Sequence, residues 1–152
     1  MAVRTAYDPT AGEVLTAVNL EKMAGGWIGY EQVITNQGPF GPADTDLTGL
    51  SVAVTVGAGR RIRVSCLVTL AVGLAAGRLH LNINEGATVL QHSEEDQGLN
   101  GYTTVELSAV LTPTAGVHTY KLQAGASTGT TATLSASATG PAYILVEDLG
   151  SA

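Results

Sequence analysis

Few residues of this chain are of a type and spacing that could do chemistry, and the three histidines come first. His80 is followed by Asn82 and Asn84, and a period of two places all three on one face of a strand. A strand-borne metal site would ask for His-x-His here. The second position is Asn82, and losing that imidazole argues against a metal. His92 precedes Ser93-Glu94-Glu95-Asp96, whose carboxylates could reach for Ca²⁺, but the regular spacing of oxygen ligands in a calcium loop is missing. The run reads instead as a solvated tip between strands. His118 shares an inward strand face with Tyr120, where a histidine satisfied by its core neighbours is expected. Cys66 stands mid-strand among apolar residues and is the single cysteine, so it has no internal disulfide partner and reads as a small buried hydrophobe. There is no GxSxG, HExxH or CxxC, and no phosphate-cradling Gly-rich loop. The expectation is a protein that is not an enzyme, with no catalytic residue, no cofactor and no metal.

Composition narrows the partners. Only 13% of residues are charged and 5% are aromatic, against 45% hydrophobic, so the core must be built from Val, Leu, Ile and Ala. Low charge suits a subunit whose surface is covered by neighbours, or a Gly/Ala/Thr-rich sandwich with a neutral surface. The net charge of −6 argues against nucleic acid, which takes Lys and Arg in exchange for phosphate counterions. Arg60, Arg61 and Arg63 form the one basic cluster, at a turn, where solvation or ion pairing is the ordinary role. The residues after Met1 are polar and give no secretory leader. No apolar run approaches membrane-spanning length, so no membrane partner is expected.

The elements that would position these residues are strands. Leu50, Val52, Val54 and Val56 alternate with Ser51, Ala53 and Thr55. After Gly57-Ala58-Gly59, Ile62, Val64, Cys66, Val68, Leu70 and Val72 line one face of a second strand. That second strand turns apolar on both faces, which places it centrally in a sheet or against another subunit. Further alternating runs are expected at 27–35, 78–85, 87–92, 102–111, 117–124, 130–138 and 142–148, with loops at 36–46 and 93–100. In the first of these, Trp27, Gly29, Glu31 and Val33 fall on one face, with Ile28, Tyr30, Gln32 and Ile34 on the other. Phe40 in its Pro/Gly-rich loop is either a plug over one end of the domain or a contact with a neighbouring subunit. The last run is apolar on both faces and so should be paired on both sides. The fold class expected is all-β, an antiparallel β-sandwich or jelly roll of about eight or nine strands. Residues 1–25 form a separate arm, in which Thr16 can cap a short helix over 17–23 ended by Gly25-Gly26. So short a helix needs something to dock on. The domain proper would span 26–152.

Several stretches resemble a family of virion proteins encoded by tailed bacteriophages of actinobacteria. Ala6-Tyr-Asp-Pro-Thr-Ala-Gly-Glu-Val-Leu-Thr16, Asn19-Leu-Glu21 and Gly25-Gly-Trp-Ile-Gly-Tyr30 are similar to that family's shared arm. Asp46-Leu-Thr-Gly-Leu50 and Val54-Thr-Val-Gly-Ala-Gly-Arg-Arg-Ile-Arg63 resemble the start of its β-domain. Gly116-Val-His-Thr-Tyr-Lys-Leu-Gln-Ala124 and Ala136-Ser-Ala-Thr-Gly-Pro-Ala-Tyr-Ile-Leu-Val-Glu-Asp148 resemble its end. The match is poorest over Leu74–Asn100.

The resemblance implies a jelly roll similar to tumour-necrosis-factor-like trimers, acting as a head decoration (minor capsid) protein or as a module of a minor tail or fibre protein. A chain that stops at Ala152 without a collagen-like or coiled-coil shaft favours the head. The expectation is a homotrimer, made in the host bacterial cytoplasm, that sits on the outer capsid surface and clamps subunits of the major capsid protein. Tyr7, Leu15, Leu20 and Met23 would be its capsid-docking anchors, and Tyr120, Leu122 and Tyr143 its trimer interface. The alternative is a tail or fibre module that binds host surface or glycan through the loops at 36–46 and 93–100.

Overall fold

A computed structural model of the chain describes residues 26–73 and 75–152. The arm, its expected helix and the anchors Tyr7, Leu15, Leu20 and Met23 lie outside the described residues. Within them there is no helix, and ten strands follow one another. They are β1 (Gly26–Val33), β2 (Gln37–Phe40), β3 (Thr45–Val56), β4 (Arg60–Gly73), β5 (Gly77–Glu85), β6 (Thr88–Gln97), β7 (Tyr102–Leu111), β8 (Gly116–Ala126), β9 (Thr131–Leu134) and β10 (Ala142–Ser151). All pairing is antiparallel.

Eight long strands make two four-stranded layers. In the first, β4 carries β10 on one flank and β7 on the other, with β1 beyond β10, so the order is β1-β10-β4-β7. The short pair β9-β2 continues from the far end of β4. The second layer runs β3-β8-β5-β6. Along the chain the strands cross between layers at β1/β3, β3/β4, β4/β5, β6/β7, β7/β8 and β8/β10. That alternation is a jelly roll. The first and last long strands lie side by side, so β10 is paired on both sides, by β1 and β4.

The core is filled by the period-2 residues of both layers. Ile62, Val64, Cys66, Val68, Leu70 and Val72 of β4 face Leu79, Leu81 and Ile83 of β5, with Ile144 and Val146 of β10. Burial pushes the Cys66 thiol up to about 12, so it stays protonated and unreactive in the folded chain.

Four expectations need correcting. The acidic run Ser93–Gln97 is strand, because β6 pairs with β5 as far as Gln97. Its charges keep an exposed edge from pairing with another chain. The Pro/Gly-rich stretch after Asn36 holds β2, and Phe40 is buried opposite Ala132, so it plugs the domain. The Thr/Ser/Ala run contributes only four residues of strand, as β9. The faces of β1 are also reassigned. A register shift between Trp27 and Gly29 inserts an extra residue, which turns Trp27 to the outer side with Tyr30.

Candidate functional site

The two outer faces of the sandwich differ in kind. On the β3-β8-β5-β6 layer many polar side chains bind one another, while Asn84 Oδ1 is buried without a hydrogen-bond partner. Asn82 and Asn84 point outward from β5, yet they are 2% and 3% exposed, because cross-strand side chains close over them. Asn82 Nδ2 donates to Asp44 Oδ2 at 2.9 Å, and His80 Nδ1 lies 2.7 Å from Asp44 Oδ1. With its amide nitrogen committed, Asn82 must accept through Oδ1, so His92 carries its proton on Nδ1 toward that oxygen. Asn84 Nδ2 donates to Gln123 Oε1 at 2.6 Å, and Gln123 Nε2 donates to Asp46 Oδ1 at 2.6 Å. Lys121 completes this chain with its ammonium 2.8 Å from Asp46. Hydrogen bonds from Lys121 and then Gln123 hold the Asp46 carboxyl below the usual carboxylate range. Arg78 bridges Glu94 at 2.7 Å and Asp96 at 3.4 Å. This face binds itself.

At one end of the sandwich interior, His118 does the same. Its Nδ1 lies 2.5 Å from Glu85 Oε1 and its Nε2 lies 2.8 Å from the Thr114 carbonyl oxygen. Both partners are acceptors, so the ring satisfies both only as an imidazolium. The Glu85 hydrogen bond, then that of Thr114, raises the His118 pKa above its ordinary value. The folded state therefore binds this proton more tightly than the unfolded chain, where the value is about 6.5. The contribution to stability is complete below that value and disappears as pH rises through the raised folded value. Thermal unfolding scanned from acid to mildly alkaline pH should show wild-type stability falling over that window, and His118→Gln should flatten the fall. An unchanged slope in the variant would refute the assignment. Tyr120 stacks beside this ring at 6.3 Å. Burial, followed by the nearby Glu85 charge, pushes its phenol up to about 12, and its Oη has no protein partner.

The outer face of the β1-β10-β4-β7 layer is the opposite case. Trp27 and Tyr30 stack with ring centroids 5.7 Å apart and planes 16° from parallel, and Tyr30 meets Tyr143 at 5.9 Å. Trp27 is 69% exposed and Tyr30 39%. The register extends this strip across the sheet in rows. One row is Trp27, Glu147, Arg63, Val110; the next is Tyr30, Leu145, Ser65, Ser108; a third is Gln32, Tyr143, Leu67, Glu106. Arg63 is paired with Glu147 at 2.8 Å, and small hydroxyls fill much of the remainder. The face is thus an exposed aromatic strip on a nearly neutral sheet.

Among the residues expected at a subunit interface, only Tyr143 lies on this face. Tyr120 and Leu122 are fully buried between the sheets and cannot touch a second molecule. The alternation had marked them as inward, and inward here means the chain's own core. Trp27 and Tyr30 are the exposed aromatic residues that stand beside Tyr143. The signal for the bulge that unites them was Gly29, since a glycine inside a strand often marks one. Among the described residues no three of His, Cys, Asp and Glu stand together to hold a metal ion.

No family model matches the chain, and no curated protein matches it. Solved structures do. The Eiger TNF of S. frugiperda superposes with a TM-score of 0.50 over 83% of this chain and 94% of its own, at 12% identity. The carbohydrate-binding module CBM6cm-2 of Cellvibrio mixtus lichenase 5A, in complex with cellotriose, gives a TM-score of 0.36 at 16% identity, over 80% and 97% of the two chains. TmCBM61 in complex with β-1,4-galactotriose gives 0.34 at 11%, over 63% and 60%. At these identities the likeness is one of fold, and the chain is a TNF-like jelly-roll β-sandwich.

Proposed function

We propose that this chain is a non-enzymatic structural protein of a tailed-phage virion, a homotrimeric decoration protein on the outer capsid surface that clamps neighbouring subunits of the major capsid protein. The observation that carries this reading is the contrast between the two outer faces. One has a network of polar side chains bound to one another across its strands. The other bears the exposed strip Trp27–Tyr30–Tyr143 on a nearly neutral sheet, which suits a partner subunit. The resemblance of the arm and of both ends of the β-domain to actinobacteriophage virion proteins supplies the setting. Acidity suits the outside of a DNA-filled shell. In this reading residues 1–25 hold the shell and the jelly roll projects outward.

A stacked Trp–Tyr pair is also a platform for a sugar ring, so the rival reading is a minor tail or fibre module that binds host glycan. Gold-labelled electron microscopy of virions with an antibody against this chain separates the two. Label over the heads is expected; label confined to the tail would replace the decoration reading with the rival. Chains lacking residues 1–25 should remain trimeric and fail to bind capsids. Loss of the trimer on that deletion would refute the division of labour between arm and domain.

A further inference from the structure

We propose that Asn100 is a site of spontaneous covalent modification, closing on Gly101 as a succinimide and reopening as aspartate or isoaspartate, and that the β6–β7 turn holds this reaction back in the folded chain. Asn100-Gly101 is the single Asn-Gly pair of the sequence. The inference stands apart from the decoration reading, since it rests on one turn of the protomer.

The fold imposes this dipeptide. β6 ends at Gln97, β7 starts at Tyr102, and a tight turn over Gly98–Gly101 joins them. The Gly101 N–H donates to the Gly98 carbonyl oxygen at 2.9 Å, and Asn100 stands at φ +58°. A positive φ at the third residue of such a turn favours glycine or asparagine. Position 101 is narrower still. A Cβ there would lie 2.8 Å from the Gly98 carbonyl oxygen and 3.0 Å from Gln97 Oε1. The Gly101 carbonyl oxygen in turn accepts from the Val72 N–H at 2.9 Å, which ties the turn to the end of β4. Asn100 itself is exposed to solvent.

The reaction needs the atoms that the turn employs. Once the Gly101 nitrogen gives up its proton, it can attack Asn100 Cγ; a C–N bond forms, and the side-chain nitrogen departs as ammonia. Water then opens the ring at either carbonyl, giving aspartate or isoaspartate and one added negative charge. The missing side chain of Gly101 leaves the nucleophile unshielded and its backbone free to turn. The hydrogen bond to Gly98 opposes the step, because the proton that must leave is held on an acceptor. Reaction therefore proceeds from the opened turn, and its rate follows the local opening equilibrium. Aspartate can keep the left-handed conformation. Isoaspartate adds a methylene to the main chain, so Gly101 cannot hold both Gly98 and Val72.

Ageing of the full-length protein in mildly alkaline buffer, native and in guanidinium, tests this, with isoaspartate at position 100 read by peptide mapping. The unfolded chain should form it several-fold faster than the native one. The slowing in the native chain should match the protection of the Gly101 amide against hydrogen exchange. Asn100→Gly, which suits the positive φ, should abolish the product with circular dichroism unchanged. The isoaspartyl chain should exchange its Val72 amide faster than Asn100→Asp, which carries the same added charge. Equal rates in native and unfolded chains overturn the protective role of the turn. A Gly101 amide that exchanges freely while the native chain stays unmodified overturns the link between opening and reaction. Absence of isoaspartate at position 100 in the unfolded chain overturns the site itself.

Discussion

Leu122→Ala is expected to lower the unfolding free energy by about 2–5 kcal/mol, read as a lower urea midpoint with little change in slope. Leu122 is fully buried on β8, between β3 and β5, and packs in the core that joins the two sheets. Removing its isobutyl group takes away apolar contacts and leaves a cavity that a close-packed interior relaxes into only partly. The same substitution separates two roles for this position. A core residue weakens the fold of the protomer itself. An interface residue would weaken association while leaving the protomer as stable as before. Dissociation without a loss of protomer stability would return Leu122 to the interface.

Gly29→Val should cost about 1–3 kcal/mol through overpacking. Gly29 faces inward on β1, and a Cβ added there would stand 2.6 Å from Cγ2 of Val52 and 2.6 Å from Cγ1 of Val54. Both are stiff, β-branched side chains held on β3, so neither can turn aside cheaply. The strain falls on β1, the strand whose bulge brings Trp27 and Tyr30 to one side. A second consequence is therefore a change in Trp27 emission along with the lowered midpoint. A variant as stable as wild type would mean that β1 does not pack this closely on β3.

Both substitutions act where the chain's own alternation and its tertiary contacts part company. The period-2 pattern sorts inward from outward residues, as Ile62 through Val72 and Leu79 through Ile83 demonstrate. It does not say whether inward means the core of one chain or a contact with another; it leaves Tyr120 and Leu122 open to the second, and the structure buries both in the first. The pattern also runs on at a strict period of two, so an extra residue in β1 is invisible to it. One inserted residue moved Trp27 from one face to the other and created the aromatic strip. The polarity of the acidic run after His92 predicts a loop, where the structure has strand. Strand polarity follows exposure, and an edge strand facing water, with β5 as its one partner, is free to be polar along its length.

An all-β antiparallel sandwich, a central β4, a last strand paired on both sides, a buried Cys66 and an inward His118 are all legible in the order of residues. These follow from side-chain polarity and a backbone period of two, which are local properties. Which layer each strand joins was settled by long-range packing. So were the closing of Asp44 over Asn82 and of Gln123 over Asn84, and the meeting of Trp27, Tyr30 and Tyr143 on one surface. Those contacts join residues far apart in the chain, through the jelly-roll crossings and a single bulge. No local pattern records which distant strand will lie alongside.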